Sequence, residues 1–425
     1  LPFEFWILNL FRVSDFGIRI WSNAKTSKPD FSPIRLIKRG YEMDFRLTKD
    51  QEQIQKAARD FAKGEFDKEI ALEHERAHSF PREIWKKACA LGFIGIHYPE
   101  KYGGQEYGVM ENTLVTEEFC RQDSSLGIAV SLSDFASDII LRHGSEEQKL
   151  KYLVPITKGE FLSSGGFTEP DHGSDITAMN TTAVKSGSEY VINGGKTFIT
   201  NGTIASFVLV LCQSDPEAKP TYRGQSVILV ERDTPGFTTN DVGEKMGIKM
   251  TATGELSFNN VKVPASNLIG KENRGFYQVL EFFDESRIEI AAQALGIAEG
   301  AFDRALAYTK QRSQFGKKIA DFQVTQHKLA DMVTKIETAR LVIYRAAWNF
   351  DQGSIDPKLT SIAKMYAGRI AVEVADEAIQ LHGGYGYMLE YEVERFYRDA
   401  KIMEIYEGTR EIQKNTIASA VLGKF

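Results

Sequence analysis

The spacing of apolar residues changes character twice along this chain of 425 residues, and those two changes constrain its fold more than any other feature. From Thr48 to Thr157 the spacing is helical. "LTKDQEQIQKAARDFAKGEF" puts Leu47, Ile54, Ala57, Ala58 and Phe61 at helical intervals, with a threonine able to cap the run. In "PREIWKKACALGF" a proline stands at the start and a glycine at the end. Helical patterns recur at 110–122 and 145–155, and the glycine-rich turn "YPEKYGGQEYG" interrupts the series.

From about residue 161 short β-type runs take over: "TTAVKSGSEYVINGGKTFITNG", "ASFVLVLCQ", "QSVILVERD" and "GELSFNNVKVP". Gly, Asn, Pro and Asp bound them, as expected for strands of an antiparallel sheet or barrel. Asn193-Gly194-Gly195 reads as a hairpin turn between two strands. "GGKT" does not make a P-loop, because Tyr190 stands where the first glycine belongs and a strand follows in place of a helix. From Gly275 the helical spacing returns, in segments near 276–312, 321–352, 356–382 and 409–422. Ile290, Ala294, Ile297 and Ala301 mark a buried face there. The expectation is an α+β chain with an N-terminal helical domain over 44–160, a central antiparallel β domain over 161–274 and a C-terminal helical bundle over 275–425.

Residues 1–43 read as an extension of unknown role outside this layout. Their longest apolar run, Phe5–Leu8, falls far short of the roughly 18 residues of a spanning helix. Glu4 and Asp15 weaken a transit-peptide reading, which leaves an upstream extension or a surface anchor. A formal net charge of −6 argues against nucleic acid as the main partner, since neutralising phosphates needs a basic face. Cys89, Cys120 and Cys212 form neither a disulfide framework nor a zinc pattern, so a reducing compartment is expected: the cytoplasm, or the mitochondrial matrix of a eukaryote. The seven histidines show no metal-ligand spacing with a suitable acid, and no metal is expected. Neither the dinucleotide-binding Gly-x-Gly-x-x-Gly nor the esterase Gly-x-Ser-x-Gly occurs.

Five stretches stand out: "FTEPDHGSD" (167–175), "FITNG" (198–202), "KMGIKMTATGELSFNNVKVP" (245–264), "QRSQFGKKIADFQ" (311–323), and the run from "QLHGGYGY" (380–387) to "RFYRDAKIMEIYEGTREIQ". In this order and at these distances they resemble the acyl-CoA dehydrogenase family of flavoproteins, over residues 44–425. The resemblance implies a helical domain, a β domain and a four-helix C-terminal domain. It also implies FAD held without a covalent bond, an acyl-CoA substrate, an electron-transferring flavoprotein as acceptor, and a homotetramer.

Roles follow from the resemblance position by position. Phe167 and Thr168 match residues facing the flavin, and Phe198, Ile199 and Thr200 match the segment packed against it, with Phe198 where many relatives have Trp. Arg312, Phe315 and Gln323 match residues that reach the FAD of a neighbouring subunit, where the fork of an Arg suits a pyrophosphate. Gln380, Gly383 and Gly384 match a further cofactor contact, and glycines there let the backbone approach closely. Thr409 and Glu411 match flanking FAD contacts, though many relatives carry Gln at the second position. For the substrate, Ser174 matches a serine along the acyl-CoA path, Asp284 and Arg287 a pair near the CoA moiety, and Gly408 a turn beside the thioester.

Glu407, in "YEGT", matches the catalytic base. Taken alone, a glutamate just before a helix does no more than meet the helix dipole. The chemistry supplies a reason for more. The α-hydrogen of a thioester is weakly acidic, so the carbonyl must be polarised where enolate charge develops, and desolvation makes a carboxylate a better base. Some relatives take the base from the position just before the arginine of "FFDESR", which here is Ser286 and cannot serve. Glu285 and Glu289 are nearby acids read as structural. The expected reaction is 2,3-dehydrogenation; an oxidase using oxygen and a flavin-bearing binding protein are the alternatives. The segment 126–140 and helix residues near 280–290 are expected to floor the acyl pocket, and their small and polar side chains suggest a short, branched or alicyclic acyl group. Asp134 reads as a solvated or helix-capping acid, with a role toward a ring or polar substrate as the sharper alternative.

Overall fold

Thr48 does open the first helix. Its hydroxyl accepts from the Gln51 amide, and the Gln51 side chain accepts from the Thr48 amide in return. The computed structural model describes residues 45–423, so the expected extension over 1–43 lies outside the described residues. From Leu47 onward the chain forms one compact unit. Its first part is helical: α1 (Lys49–Glu65), α2 (Lys68–Ala77), α3 (Arg82–Ala90), α4 (Val109–Gln122), α5 (Ser124–Ser131), α6 (Asp138–His143) and α7 (Glu146–Thr157). Phe61 of α1, Phe93 and Phe119 of α4 meet with ring centroids 5.4–5.5 Å apart, which locks α1 onto α4.

The β block holds β1 (Ser163–Gly166), β2 (Thr182–Ser186), β3 (Glu189–Ile199), β4 (Phe207–Gln213), β5 (Gln225–Glu231), β6 (Phe237–Asp241) and β7 (Gly254–Pro264). They form one sheet in the order β1-β4-β2-β3-β7-β6, with β5 also on β4. Pairing is antiparallel except where β1 and the first residue of β2, Thr182, run parallel to β4. β4 is buried along its whole length, which its unbroken apolar run "FVLVLCQ" requires.

One turn falls elsewhere than expected. Asn193-Gly194-Gly195 is no hairpin; it lies inside β3, where the register against β7 slips between Ile192 and Gly194. Gly194 has φ +143°, and a Cβ there would meet Thr181 within 2.5–2.8 Å, so the glycine serves a bulge against a close backbone neighbour. The β2–β3 turn is instead at Gly187-Ser188, with Gly187 at φ +61°.

The last part is helical again: α8 (Gly275–Gln311), a small hairpin of β8 (Ser313–Gln314) and β9 (Lys317–Lys318), α9 (Gln323–Asp351), α10 (Pro357–His382), α11 (Val393–Ala400) and α12 (Arg410–Leu422). α8 packs on α10, α4 and α9, and Ile290, Ala294, Ile297 and Ala301 are buried as their spacing predicts. α11 escapes a reading by periodicity because two of its inward residues are charged. Arg395 pairs with Asp123, and Asp399 accepts from the Ser124 and Ser125 hydroxyls and the Ile248 amide. Among the described residues no helix is long and apolar enough to cross a membrane.

Candidate active site

Between a 3-10 turn over Lys401–Glu404 and α12, the backbone reverses on two left-handed residues, Glu407 at φ +53° and Gly408 at φ +91°. A glutamate there stores strain, about 1–3 kcal/mol for a non-glycine residue, and persists only when its surroundings fix it. They do so from three helices. Gln413 of α12, wholly buried, donates to the Glu407 and Gly408 carbonyls at 3.0 and 3.1 Å. Lys364 of α10 donates to the Gly408 carbonyl at 2.7 Å. Ser286 of α8 donates its hydroxyl proton to Glu407 Oε2 at 2.6 Å. Thr409 then caps α12, accepting from the Ile412 amide. Gly408 has no freedom to change: a Cβ would lie 2.6 Å from Gln413 Nε2. Gly408→Ala is expected to cost about 1–3 kcal/mol and to weaken the site, read as a lower midpoint of urea unfolding.

Burial raises the pKa of Glu407 above the ordinary glutamate value, while the Ser286 hydrogen bond and the charges of Arg287 and Lys364 pull it down. The result is a half-buried carboxyl, held by one hydroxyl and raised toward the range of a useful base. Ser286 thereby orients the Glu407 carboxyl.

The neighbouring acids divide. Glu285 is taken by Arg142. Glu289 is pushed well above the ordinary range, chiefly by burial and then by Asp134 and Asp138. Asp134 departs from the expected solvated or capping acid: it accepts from the Tyr98 hydroxyl at 3.3 Å, and burial lifts it to about 6. His97 meets Asp138 at 2.7 Å, and with Glu285 the three could gather around a cation, but Glu285 already holds a guanidinium. Asp284 and Arg287, the expected CoA pair, lie 3.7 Å apart on α8. Arg287 is buried, not on the helix surface, and burial lifts Asp284 to about 6.

The residues matched to the cofactor fall into two places. Phe167 and Thr168 leave β1 beside β3, the Thr168 carbonyl accepting from the Thr197 amide at 3.0 Å. Ser164 Oγ donates to the Thr200 carbonyl, so β1 and the end of β3 are tied. Ile199 is buried there, while Phe198, at φ +57°, stands 70% exposed. The second place is a cleft of about 640 Å³ lined by Tyr308, Arg312, Gln380, Gly383, Gly384 and Tyr385, among others. Phe315 and Gln323 lie outside its lining. Phe315 heads the β8–β9 hairpin at φ +53°, followed by Gly316 at φ +79°, the geometry of a tight two-residue turn, and its ring is 94% exposed. Ser174 is exposed in the loop after β1, and Glu411 is exposed on the first turn of α12. A larger cavity of about 830 Å³, between Tyr152, Phe161, Arg232 and Lys262, contains none of these residues.

The donor set of this second place fits a phosphate-bearing group. Among the described residues no carboxylate pairs with Arg312, and a Cβ at Gly383 or Gly384 would meet nothing within 4 Å. Together they leave room and charge for a pyrophosphate.

Sequence reasoning passed over the residues that brace the site. Lys196, read only as part of a rejected P-loop, is wholly buried and donates to the Phe167 carbonyl and to Glu169 Oε1, at 3.2 and 2.9 Å. Glu169 also accepts from the Asn180 and Thr181 amides, which fixes the "FTEP" loop. A lysine amid strand residues was the available signal.

Three family models together match most of the chain: "Acyl-CoA dehydrogenase, N-terminal domain" at residues 48–160, the middle domain at 164–261 and the C-terminal domain at 273–422. Among curated proteins, a short-chain-specific acyl-CoA dehydrogenase of Clostridium acetobutylicum is 43% identical over 89% of this chain and 100% of its own. A caffeyl-CoA reductase–Etf complex subunit of Acetobacterium woodii is 41% identical over 87% of this chain and 98% of its own. Among solved structures, butyryl-CoA dehydrogenase from Megasphaera elsdenii superposes with a TM-score of 0.86 at 40% identity, over 89% of this chain and 100% of that one.

Proposed function

The chain belongs to the acyl-CoA dehydrogenase family, and from that premise we propose that it converts an acyl-CoA thioester to the 2,3-enoyl-CoA, with Glu407 as the base. The observation that carries this reading is the Glu407 carboxyl, half-buried on a clamped left-handed turn, bonded to the Ser286 hydroxyl and raised in pKa by burial. The carboxylate takes the α-proton, and the Glu407 amide N–H serves as a donor to the thioester carbonyl as enolate charge develops. The Cα–H electron pair becomes the new double bond as a hydride leaves the β-carbon. FAD, held by Gln380, Gly383, Gly384 and the Phe167–Thr168 and Phe198–Thr200 segments, with Thr409 and Glu411 at its flank and Arg312, Phe315 and Gln323 reaching it from a neighbouring copy of the chain, would accept that hydride. Asp284, Arg287 and Ser174 orient the CoA portion, and Gly408 gives the thioester room beside the base.

An electron-transferring flavoprotein is the proposed acceptor, supported by the relative named as a subunit of an Etf complex. A second copy of the chain is the proposed neighbour for the exposed Phe315 hairpin and for Gln323, within a homotetramer. The acyl group is proposed to be short, branched or alicyclic, since Asp134 and Phe135 lie on the segment expected to floor its pocket.

Mass spectrometry of the products from a panel of acyl-CoA esters, with an artificial electron acceptor present, tests the reaction. One ester class is expected to lose two hydrogens between C2 and C3; formation of peroxide in air without the acceptor would instead mark an oxidase. Arg312→Ala is expected to weaken FAD retention at least about tenfold, the size of a lost charge-assisted hydrogen bond, read by equilibrium dialysis. Unchanged retention would remove Arg312 from the cofactor site.

A further inference from the structure

We infer that Lys364 is a positioning residue for the base: its buried ammonium, donating to the Gly408 carbonyl at 2.7 Å, holds the Glu407–Gly408 turn in its left-handed form and offsets the carboxylate that the turn presents. The inference rests on Glu407 being the base and adds a residue with no role in that reading.

Three observations support it. Lys364 is 1% exposed on the inner face of α10, and a lysine is almost never buried without an electrostatic reason. Of its three N–H donors, one has a partner among the described residues, and that partner belongs to the residue after the base. The charges that act on Lys364 converge from two sides: Glu407 and Glu404 on the segment before α12, and Arg287 on α8. Glu404 is already engaged by Lys401 at 2.6 Å and Arg410 at 3.1 Å, which leaves Glu407 as the less committed of the two carboxylates. Burial draws the ammonium down to about 7, so its charge is itself sensitive to pH near neutrality. Gln413 contacts the same two carbonyls from α12 but carries no charge. The turn is therefore clamped from both helices, and its carboxylate is offset by Lys364 from α10 and by Arg287 from α8.

Lys364→Met keeps the bulk and removes donor and charge together. In the flavin-loaded protein it is expected to lower kcat at least tenfold while KM moves by less than about threefold, with flavin content and unfolding midpoint near the parent's. Loss of the cation also raises the Glu407 pKa, so the acid limb of kcat/KM moves to higher pH. Lys364→Gln, which retains a donor without charge, is expected to recover part of kcat while sharing the shift. A readout independent of turnover is isotope-edited infrared titration of the glutamate carboxyls, with Glu407→Gln subtracted to isolate Glu407. An upward shift of that titration in both variants supports the inference even in a protein that dehydrogenates none of the esters tried. A Glu407 titration that stays in place in both, or activity lost only in proportion to flavin, overturns it and leaves the proposed reaction untouched.

Discussion

Glu407→Gln is expected to slow acyl-CoA-dependent flavin reduction by about 10²–10⁴-fold, the usual worth of a positioned general base, with little change in ester binding. The amide oxygen can still accept from Ser286, so the turn survives the change. The stability effect has a definite sign. Burial raises the folded pKa of Glu407 above its unfolded value, so the carboxyl favours the native state most below the unfolded pKa. That contribution falls as pH rises through the folded pKa, and at neutral pH the buried charge is a cost. Glutamine removes the cost, so the variant's unfolding midpoint at neutral pH should equal or exceed the parent's. Activity of the parent follows the same titration: kcat/KM should rise with pH through an apparent pKa above the ordinary glutamate value, and the variant should lose that limb. A slow variant that is also less stable would point to a structural role for Glu407 instead.

Lys196→Met should be the most damaging single change to the fold near the site. Lys196 and Glu169 are both buried, and removing one partner of such a pair typically costs about 3–5 kcal/mol, since the other charge is left uncompensated. Burial works to raise the pKa of Glu169, but Lys196 together with the Thr181 and Asn180 hydrogen bonds holds it below the ordinary value. The pair's contribution is therefore present above the unfolded carboxylate pKa and lost as pH falls through the folded one. Urea unfolding at neutral pH should show the full deficit, and FAD should be held more weakly because the Phe167 carbonyl loses its donor. Lys196→Met combined with Glu169→Leu should recover much of the loss, since an apolar replacement of both partners leaves no buried charge. A single-variant deficit below about 1 kcal/mol would show that the amide bonds to Glu169 suffice without the lysine.

What could be read in advance depended on whether a residue's purpose is local. The three blocks were legible because apolar period is a local signal: the inner face of α8 and the unbroken apolar run of β4 both appear in the sequence as they do in the structure. The Thr48 cap was legible because a cap, too, is a local signal. Asn193-Gly194-Gly195 misled because a bulge and a hairpin both call for glycine, and only the partner strand separates them. α11 stayed hidden because Arg395 and Asp399 face inward, and a buried charge reads from the sequence as a surface one. The site itself divides along this line. Glu407-Gly408 stood out through its motif, but Ser286, Lys364 and Gln413 lie 121, 44 and 5–6 residues from the atoms they hold. Asp134 read as a solvated or helix-capping acid because nothing near it in the chain announces Tyr98.

Reduction of bound FAD by an acyl-CoA ester is tested most directly by anaerobic titration of the flavin-loaded protein with a panel of such esters. The prediction is bleaching of the oxidised flavin absorbance by one class of short, branched or alicyclic ester, with the same additions leaving Glu407→Gln oxidised on that timescale. A protein that binds flavin but keeps its full absorbance with every ester, or a Glu407→Gln variant that bleaches at the parent's rate, would contradict it.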